Sequence, residues 1–259
     1  MGTSPSVLFV DHGSPMVAIE PGAAGAALQS LAMQLDRPRA VLVISPHWET
    51  ERPTVGTAEA VVSNRLQTIH DFGGFDRRLY EIQYPATGNP QAAQEVVEAL
   101  QAAGLPVATD PRRGLDHGAW VPLRYLFPGA DVPVVPLSIQ HHGGPVHACR
   151  VGLALAPLAE QGWLIVATGN ITHNLRDWQQ AEMGLAIDSS YVQRFSDWIQ
   201  EQLLSGNTAA LLDYRQRQSD AMRCGPSPAT SICCRCSRPS VPPEVKHRHA
   251  RSTVASPIT

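Results

Sequence analysis

Short apolar runs, separated by segments rich in glycine, proline and polar residues, recur along the first 170 residues of the chain. These runs are too short for helices and are rich in β-branched residues, which predicts strands buried on both faces of a sheet. In the third run, Pro133 and Pro136 indicate a strand start or a sheet edge, because proline cannot donate to the ladder. The four runs are residues 7–10, 40–44, 132–139 and 163–167.

Segments with helical periodicity alternate with the apolar runs. The clearest helix begins at Asn89, a good N-cap, with Pro90 in the first helical position and Gly104 at the end. This alternation predicts a single α/β domain with a largely parallel, mixed central sheet flanked by helices. Further helices are predicted at residues 22–35, 121–127, 151–158, 188–206 and 208–214, and further short strands at residues 53–57 and 105–109.

Two of the apolar runs lead directly into a histidine. His12 follows residues 7–10, and His47 follows residues 40–44, whose strand is expected to end at Pro46. Ligands of open α/β sheets bind at the carboxyl ends of the strands. Two histidines at one edge are therefore a candidate metal site, although each alone also fits a hydrogen-bonded loop histidine.

Two more histidines occupy similar positions. His117 lies before a predicted helix and beside Asp116, a carboxylate that could fix the tautomer of its imidazole. An Asx-type turn with an incidental histidine is the alternative. His173 follows the run at residues 163–167. We expect His70 to be a surface histidine, with a place in a pocket lining as the alternative, and the histidines of residues 141–147 to lie in solvent.

Bulk composition excludes several classes of protein. The chain has 259 residues, of which 43% are hydrophobic and 17% charged, which is typical of a globular core. No apolar run approaches the roughly 20 residues of a membrane span, and no secretory signal pattern is visible. The acidic main body argues against a nucleic-acid partner. Cys149 is its only cysteine, which fits a reducing, cytoplasmic location.

Imidazole ligands suit both Zn and Fe(II), and two histidines with one further ligand leave coordination positions open. Such a site serves either oxygen activation or metal-assisted hydrolysis. The spacing of the histidines does not choose between these two reactions.

Five sequence blocks, in order along residues 6–220, resemble the class III extradiol ring-cleavage dioxygenases, and among them the DOPA 4,5-dioxygenase branch. The resemblance implies a non-haem Fe(II) enzyme that opens the ring of a DOPA-like catechol with O2. Zn would fill the same site without redox chemistry. The blocks are residues 12–15 (HGSP), 45–50 (SPHWET), 69–75 (IHDFGGF), 116–123 (DHGAWVPL), and 168–170 with 172–175 (TGN, THNL).

The same resemblance implies roles for the four histidines. His12 and His47 correspond to metal ligands, and His173 to a further ligand in zinc-loaded forms or to the acid/base of the iron enzyme. His117 corresponds to a residue that contacts the substrate and carries protons. An inactive, metal-binding relative and a zinc-dependent hydrolase remain alternatives, and the sequence does not indicate the oligomeric state.

The last 39 residues depart from the family pattern. We expect a catalytic domain over residues 1–220 and a basic, disordered tail over residues 221–259, which holds four of the five cysteines. The family's His-Leu-Leu-Pro-Leu segment, which carries another metal ligand, is missing. One set of codons that can encode residues 231–237 yields His-Leu-Leu-Pro-Leu-Phe in a shifted frame, so we hypothesise a frameshift from about Met222. Weak metal binding and low activity are expected to follow.

Overall fold

A six-stranded sheet forms the centre of the computed structural model, which describes residues 5–225. The strand order is β1-β6-β2-β5-β3-β4, and the paired strands run parallel except for the antiparallel contact of β3 with β5. The predicted largely parallel, mixed sheet is therefore confirmed. The strands are β1 (Val7–Val10), β2 (Ala40–Glu49), β3 (Thr54–Gly56), β4 (Ala108–Asp110), β5 (Val134–Ile139) and β6 (Trp163–Thr168).

Helices cover both faces of the sheet. They are α1 (Gly22–Ala32), α2 (Pro90–Ala102), α3 (His117–Leu126), α4 (Gly144–Glu160), α5 (Leu175–Glu182), α6 (Ser190–Leu204), α7 (Thr208–Leu212), α8 (Tyr214–Arg217) and α9 (Ala221–Cys224). Four short 3-10 helices lie at Pro15–Ala18, Val62–Asn64, Arg77–Glu81 and His141–Gly143. Among the helices of residues 5–225, none combines the length and apolar character needed to cross a membrane.

Alternate residues of the central strands enter two different cores. In β2, Val41 and Val43 pack in the core that includes α1 and α3, whereas Leu42 packs in the core that includes α2 and α4. Because successive side chains of a strand point to opposite faces, a strand between two helical layers must be apolar throughout. This explains the uninterrupted apolar runs of the sequence.

Helix α2 begins as predicted. The Asn89 side chain accepts a hydrogen bond from the Ala92 N–H at 3.1 Å, and Pro90 occupies the first turn. Gly104 follows the helix with a φ of +70°, a left-handed conformation that favours glycine.

Strand β2 does not end at Pro46, contrary to the expectation. The extended backbone continues to Glu49, although the register with β5 shifts between Ile44 and Glu49. Proline removes a ladder N–H but keeps the residue before it extended, so the pairing is interrupted while the chain runs on. His47 thus lies within the irregular end of β2.

Pro136 lies in the sheet interior and not at a strand start or edge. Its strand, β5, stands between β2 and β3. The proline is tolerated because β3 contacts β5 through a single bridge, from Val55 to Leu137, so little of the ladder is lost. An added Cβ on Gly56 would lie 2.6 Å from the Pro136 ring, so glycine is needed at this close approach.

Helix α3 begins at His117, four residues before the predicted start at Val121. The Asp116 side chain caps its first turn by accepting a hydrogen bond from the Ala119 N–H at 3.2 Å. Pro122 therefore lies inside the helix. Burial of nearly the whole helix offsets the lost backbone hydrogen bond.

The described part of the chain ends five residues after the expected domain boundary at residue 220. Helix α9 buries Ala221 and Cys224 against Tyr191 and Phe195 of α6. The side chains after residue 220 therefore contribute to a third core, formed largely by α6 to α9. Most of the tail that we expect to be disordered over residues 221–259 lies outside the described part of the chain, from residue 226 onward, so this expectation stays a prediction.

Candidate active site

Three histidines from separate parts of the chain meet at the carboxyl edge of the sheet. They are His12 after β1, His47 at the end of β2 and His117 at the start of α3. The Nε2 atoms of His12 and His47 lie 3.2 Å apart, and one ring nitrogen from each of the three residues lies within 4.8 Å of the others. The ring centroids of His47 and His117 are 4.0 Å apart.

Burial lowers the pKa of two of these imidazoles, those of His12 and His47. His12 is 3% exposed, and burial together with the neighbouring His47 and His117 lowers its pKa to about 3. Burial and the proximity of His117 also lower the pKa of His47. Near neutral pH, His12 therefore keeps a ring nitrogen with a free lone pair, as a metal ligand requires.

Asp71 fixes the orientation of His117. Its Oδ1 accepts the backbone N–H of His117 at 2.9 Å, and its Oδ2 lies 3.0 Å from His117 Nδ1. Burial raises the pKa of Asp71, but the hydrogen bonds from His117 outweigh it and hold this pKa at about 2. Because the carboxylate is ionised and can only accept, His117 donates through Nδ1–H. Its Nε2 is then the ring nitrogen that is available to accept a hydrogen bond or proton. His47 Nδ1 lies 3.5 Å from the same Asp71 oxygen.

Asp71 is the functional residue that sequence reasoning missed. We expected the neighbouring Asp116 to fix the His117 tautomer, and this expectation was wrong. Asp116 instead accepts hydrogen bonds from Ser45 Oγ at 2.5 Å and Arg113 Nη2 at 2.6 Å. The available signal was the block at residues 69–75, which contains Asp71 beside His70.

Gly118 allows the end of β2 to approach helix α3. An added Cβ at this position would lie 2.4 Å from Ser45 Oγ and 2.8 Å from His47 Cδ2. Neither contact leaves room for a side chain, so a residue without one is required where His47 meets α3.

His173 lies in the loop between β6 and α5 and is exposed. The structure does not bring it into the three-histidine group, although it lines the same cavity as His12 and His47. Its loop is tied to the end of the described chain, since the His173 N–H donates to the Cys224 carbonyl at 2.8 Å and Asn174 Nδ2 donates to the Arg223 carbonyl at 2.8 Å.

The cavity beside the histidines has a volume of about 590 Å³. His147 lines it, half-buried, with its Nε2 3.1 Å from Gln140 Oε1, so the expectation of a solvated side chain was wrong for this residue. His141 and His142 are exposed, as expected, but also line the cavity. His70 is half-buried, with its Nε2 3.0 Å from the Ile82 carbonyl oxygen.

The residues of the group fit a divalent metal ion. Two imidazole nitrogens, each about 2.1 Å from one ion, lie about 3.0–3.4 Å apart, which matches the observed 3.2 Å between His12 and His47. His12 Nδ1 is buried without a hydrogen-bond partner among the described residues. This nitrogen faces away from Nε2, so its partner lies outside the described residues and is not the ion between His12 and His47.

Comparison with known proteins identifies the family. Residues 6–230 match the family described as the catalytic LigB subunit of aromatic ring-opening dioxygenase. The chain belongs to this family, and its class is the extradiol aromatic ring-opening dioxygenases. The match extends ten residues beyond the expected domain boundary.

Two relatives are described as 4,5-DOPA dioxygenases, and a solved structure shares the fold. The chain is 38% identical over 213 residues to a 4,5-DOPA dioxygenase extradiol of Beta vulgaris, which covers 81% of this chain and 76% of that protein. It is 43% identical over 170 residues to that of Escherichia coli K12, which covers 65% and 60% respectively. A crystal structure of an uncharacterized Escherichia coli K12 protein matches with a TM-score of 0.65 at 29% identity, over 88% of this chain and 85% of that one.

Proposed function

We propose that this chain is a non-haem Fe(II)-dependent dioxygenase that opens the ring of a catechol with O2. The observation that supports this most directly is the 3.2 Å separation of the His12 and His47 ring nitrogens beside a cavity of about 590 Å³, in a chain of the LigB family. A catechol is the proposed substrate class because relatives are described as 4,5-DOPA dioxygenases.

His12 and His47 are the proposed metal ligands. Fe(II), when bound, supplies open coordination positions and the redox chemistry that ring opening needs. Zn can fill the same site but has no redox chemistry. Family membership therefore favours the dioxygenase over the zinc-dependent hydrolase that the histidine spacing also allowed.

His117 and His173 are the proposed proton carriers. Asp71 holds the proton on His117 Nδ1, so Nε2 is the atom that can accept a proton from a substrate hydroxyl and return it. His173 is exposed at the cavity, where an imidazole can exchange protons with solvent. This division leaves His12 and His47 to hold the ion.

His47→Ala separates the ligand role from the proton role. We expect this variant to lose bound iron after anaerobic loading and desalting, measured by plasma mass spectrometry. His117→Ala should retain iron but lower O2 uptake with catechol by about 100-fold or more, the usual worth of a general acid/base.

Either variant can contradict the assignment. Iron at the wild-type level in the His47→Ala protein would reject His47 as a ligand. Loss of iron from the His117→Ala protein would show that His117 belongs to the ligand set. His142→Ala, a histidine of the same cavity outside the three-histidine group, is the matched control for both measurements.

A further inference from the structure

Arg215 is the only arginine or lysine among the described residues that line the cavity. It stands on the short helix α8, whereas the histidine group stands at the edge of the sheet. Glu49 is the only acidic side chain in this lining, and no ion pair joins it to Arg215 within residues 5–225. The guanidinium is therefore a positive charge that no carboxylate of the described chain neutralises.

Arg215 is exposed at the cavity, and its guanidinium contacts the side chain of Tyr214. Arg215 Nε donates a hydrogen bond to Tyr214 Oη at 3.0 Å, and the Arg215 Cζ lies 5.6 Å from the centroid of that ring. Tyr214 is 2% exposed and lines the same cavity, so its own position is fixed by packing. The two terminal NH2 groups of Arg215 have no hydrogen-bond partner among the described residues.

A planar guanidinium with two free NH2 groups matches the geometry of a carboxylate, which it binds through two parallel hydrogen bonds. The first turn of α4 also lines the cavity and has no side-chain cap, so its dipole adds positive potential. The other lining residues include apolar side chains such as Ile44, Ile139 and Val151, which suit an aromatic ring.

We propose that Arg215 is a specificity-determining residue that binds a carboxylate on the side chain of the substrate. This inference rests on the proposed function, and it assigns the residue by which the site distinguishes a catechol with an anionic side chain from a neutral one. The histidine group receives the diol, and Arg215 receives the carboxylate.

Binding measurements test Arg215 independently of turnover. Titration calorimetry on the full chain compares 3-phenylpropionate with 3-phenylpropanamide, in which a neutral amide of similar size replaces the anionic carboxylate. We expect the wild-type protein to bind the carboxylate about tenfold more tightly, as a charge-assisted pair provides. Arg215→Ala should abolish the difference, and Arg215→Lys should retain part of it because it keeps the charge without the planar fork.

Arg217→Ala is the matched control. Arg217 belongs to the same helix but lies outside the cavity lining and pairs with Asp213 at 3.6 Å. This variant should bind both ligands as the wild type does. Circular dichroism of each variant establishes that the fold is intact, and the lysine variant provides the test if the alanine variant does not fold.

O2 uptake separates the two proposals. In iron-loaded wild type we expect a catechol with a propionate side chain to show a KM about tenfold lower than methylcatechol does, with the difference lost in Arg215→Ala. If no catechol is consumed but the calorimetric preference depends on Arg215, the proposed dioxygenase reaction fails and the carboxylate site stands. If wild type and Arg215→Ala show the same preference in binding, the carboxylate site is rejected whatever the turnover.

Discussion

A single carboxylate, that of Asp71, contacts two of the three clustered histidines. It accepts hydrogen bonds from the backbone N–H and, at 3.0 Å, from Nδ1 of His117, and it lies 3.5 Å from His47 Nδ1. Outer groups of this kind set the tautomer and direction of an imidazole at a metal site. The geometry of the group therefore depends on a residue that is itself outside it.

Asp71→Asn should lower iron affinity or O2 uptake with catechol by about 10- to 100-fold. The amide keeps the size of the side chain but removes the charge that fixes the His117 tautomer. Iron titration and O2 uptake measure the effect. Asp76→Asn is the control, because Asp76 pairs with Arg78 and contacts none of the three histidines. Equal loss in both variants would show that Asp71 acts only through stability.

Gly118→Ala should lower the free energy of unfolding by about 1–3 kcal/mol, since its Cβ would displace Ser45 or the His47 ring. Chemical denaturation measures this change, and iron content reports the displacement of His47. Gly73→Ala, where an added Cβ meets nothing within 4 Å, should stay within about 0.5 kcal/mol of wild type. An unchanged Gly118→Ala protein would mean that β2 and α3 can separate without cost.

At the scale of secondary-structure elements, helix α9 holds the loop that carries His173. Arg223 joins this helix to α5 and α6, since its Nη2 donates to Asp177 Oδ2 at 2.9 Å and its Cζ lies 4.0 Å from the Tyr191 ring centroid. The position of His173 therefore depends on an element that follows it by about 50 residues in the sequence.

Arg223→Ala should increase hydrogen exchange of the amides in residues 172–183 several-fold, because α5 loses the ion pair that Arg223 makes with Asp177. Iron content should not change, since His12 and His47 lie on other elements. Exchange measured by mass spectrometry tests both halves of the expectation. Arg37→Ala removes an ion pair with Asp131 elsewhere on the surface and should leave this loop unchanged. Equal exchange in Arg223→Ala and wild type would assign the order of the loop to its hydrogen bonds with the backbone carbonyls of Arg223 and Cys224.

At the scale of the whole molecule, the C-terminal sequence departs from the family pattern. This departure would remove one metal ligand. The described residues supply a group of three histidines, and the expected family ligand would come from residues 231–236, outside the described range. The frameshift hypothesis remains a prediction, which resequencing of the coding DNA decides. Codons that cannot encode the family segment in another frame would reject it.

Replacement of residues 231–236 by His-Leu-Leu-Pro-Leu-Phe should raise the iron retained by the chain from well below one ion toward about one ion per chain. The same replacement with Ser231 kept is the control, because it restores the apolar residues without the imidazole. Plasma mass spectrometry after desalting compares the two. Full iron occupancy in the chain as it stands would show that His12, His47 and their neighbours suffice.

Local patterns predicted the fold class, the Asn89 cap and the candidate histidines, because strand burial and helix capping depend on residues close in sequence. The prediction for Pro136 was wrong because the sheet, and not the local sequence, decides which strands flank β5. The flanking strands in turn decide whether a backbone N–H is needed at that position. Asp71 was missed for the same reason, since its partner His117 is 46 residues away. The sequence by itself determined an α/β sheet with histidines after its strands. Only the tertiary structure decided which histidines meet, since that depends on strand order and on how closely α3 approaches β2.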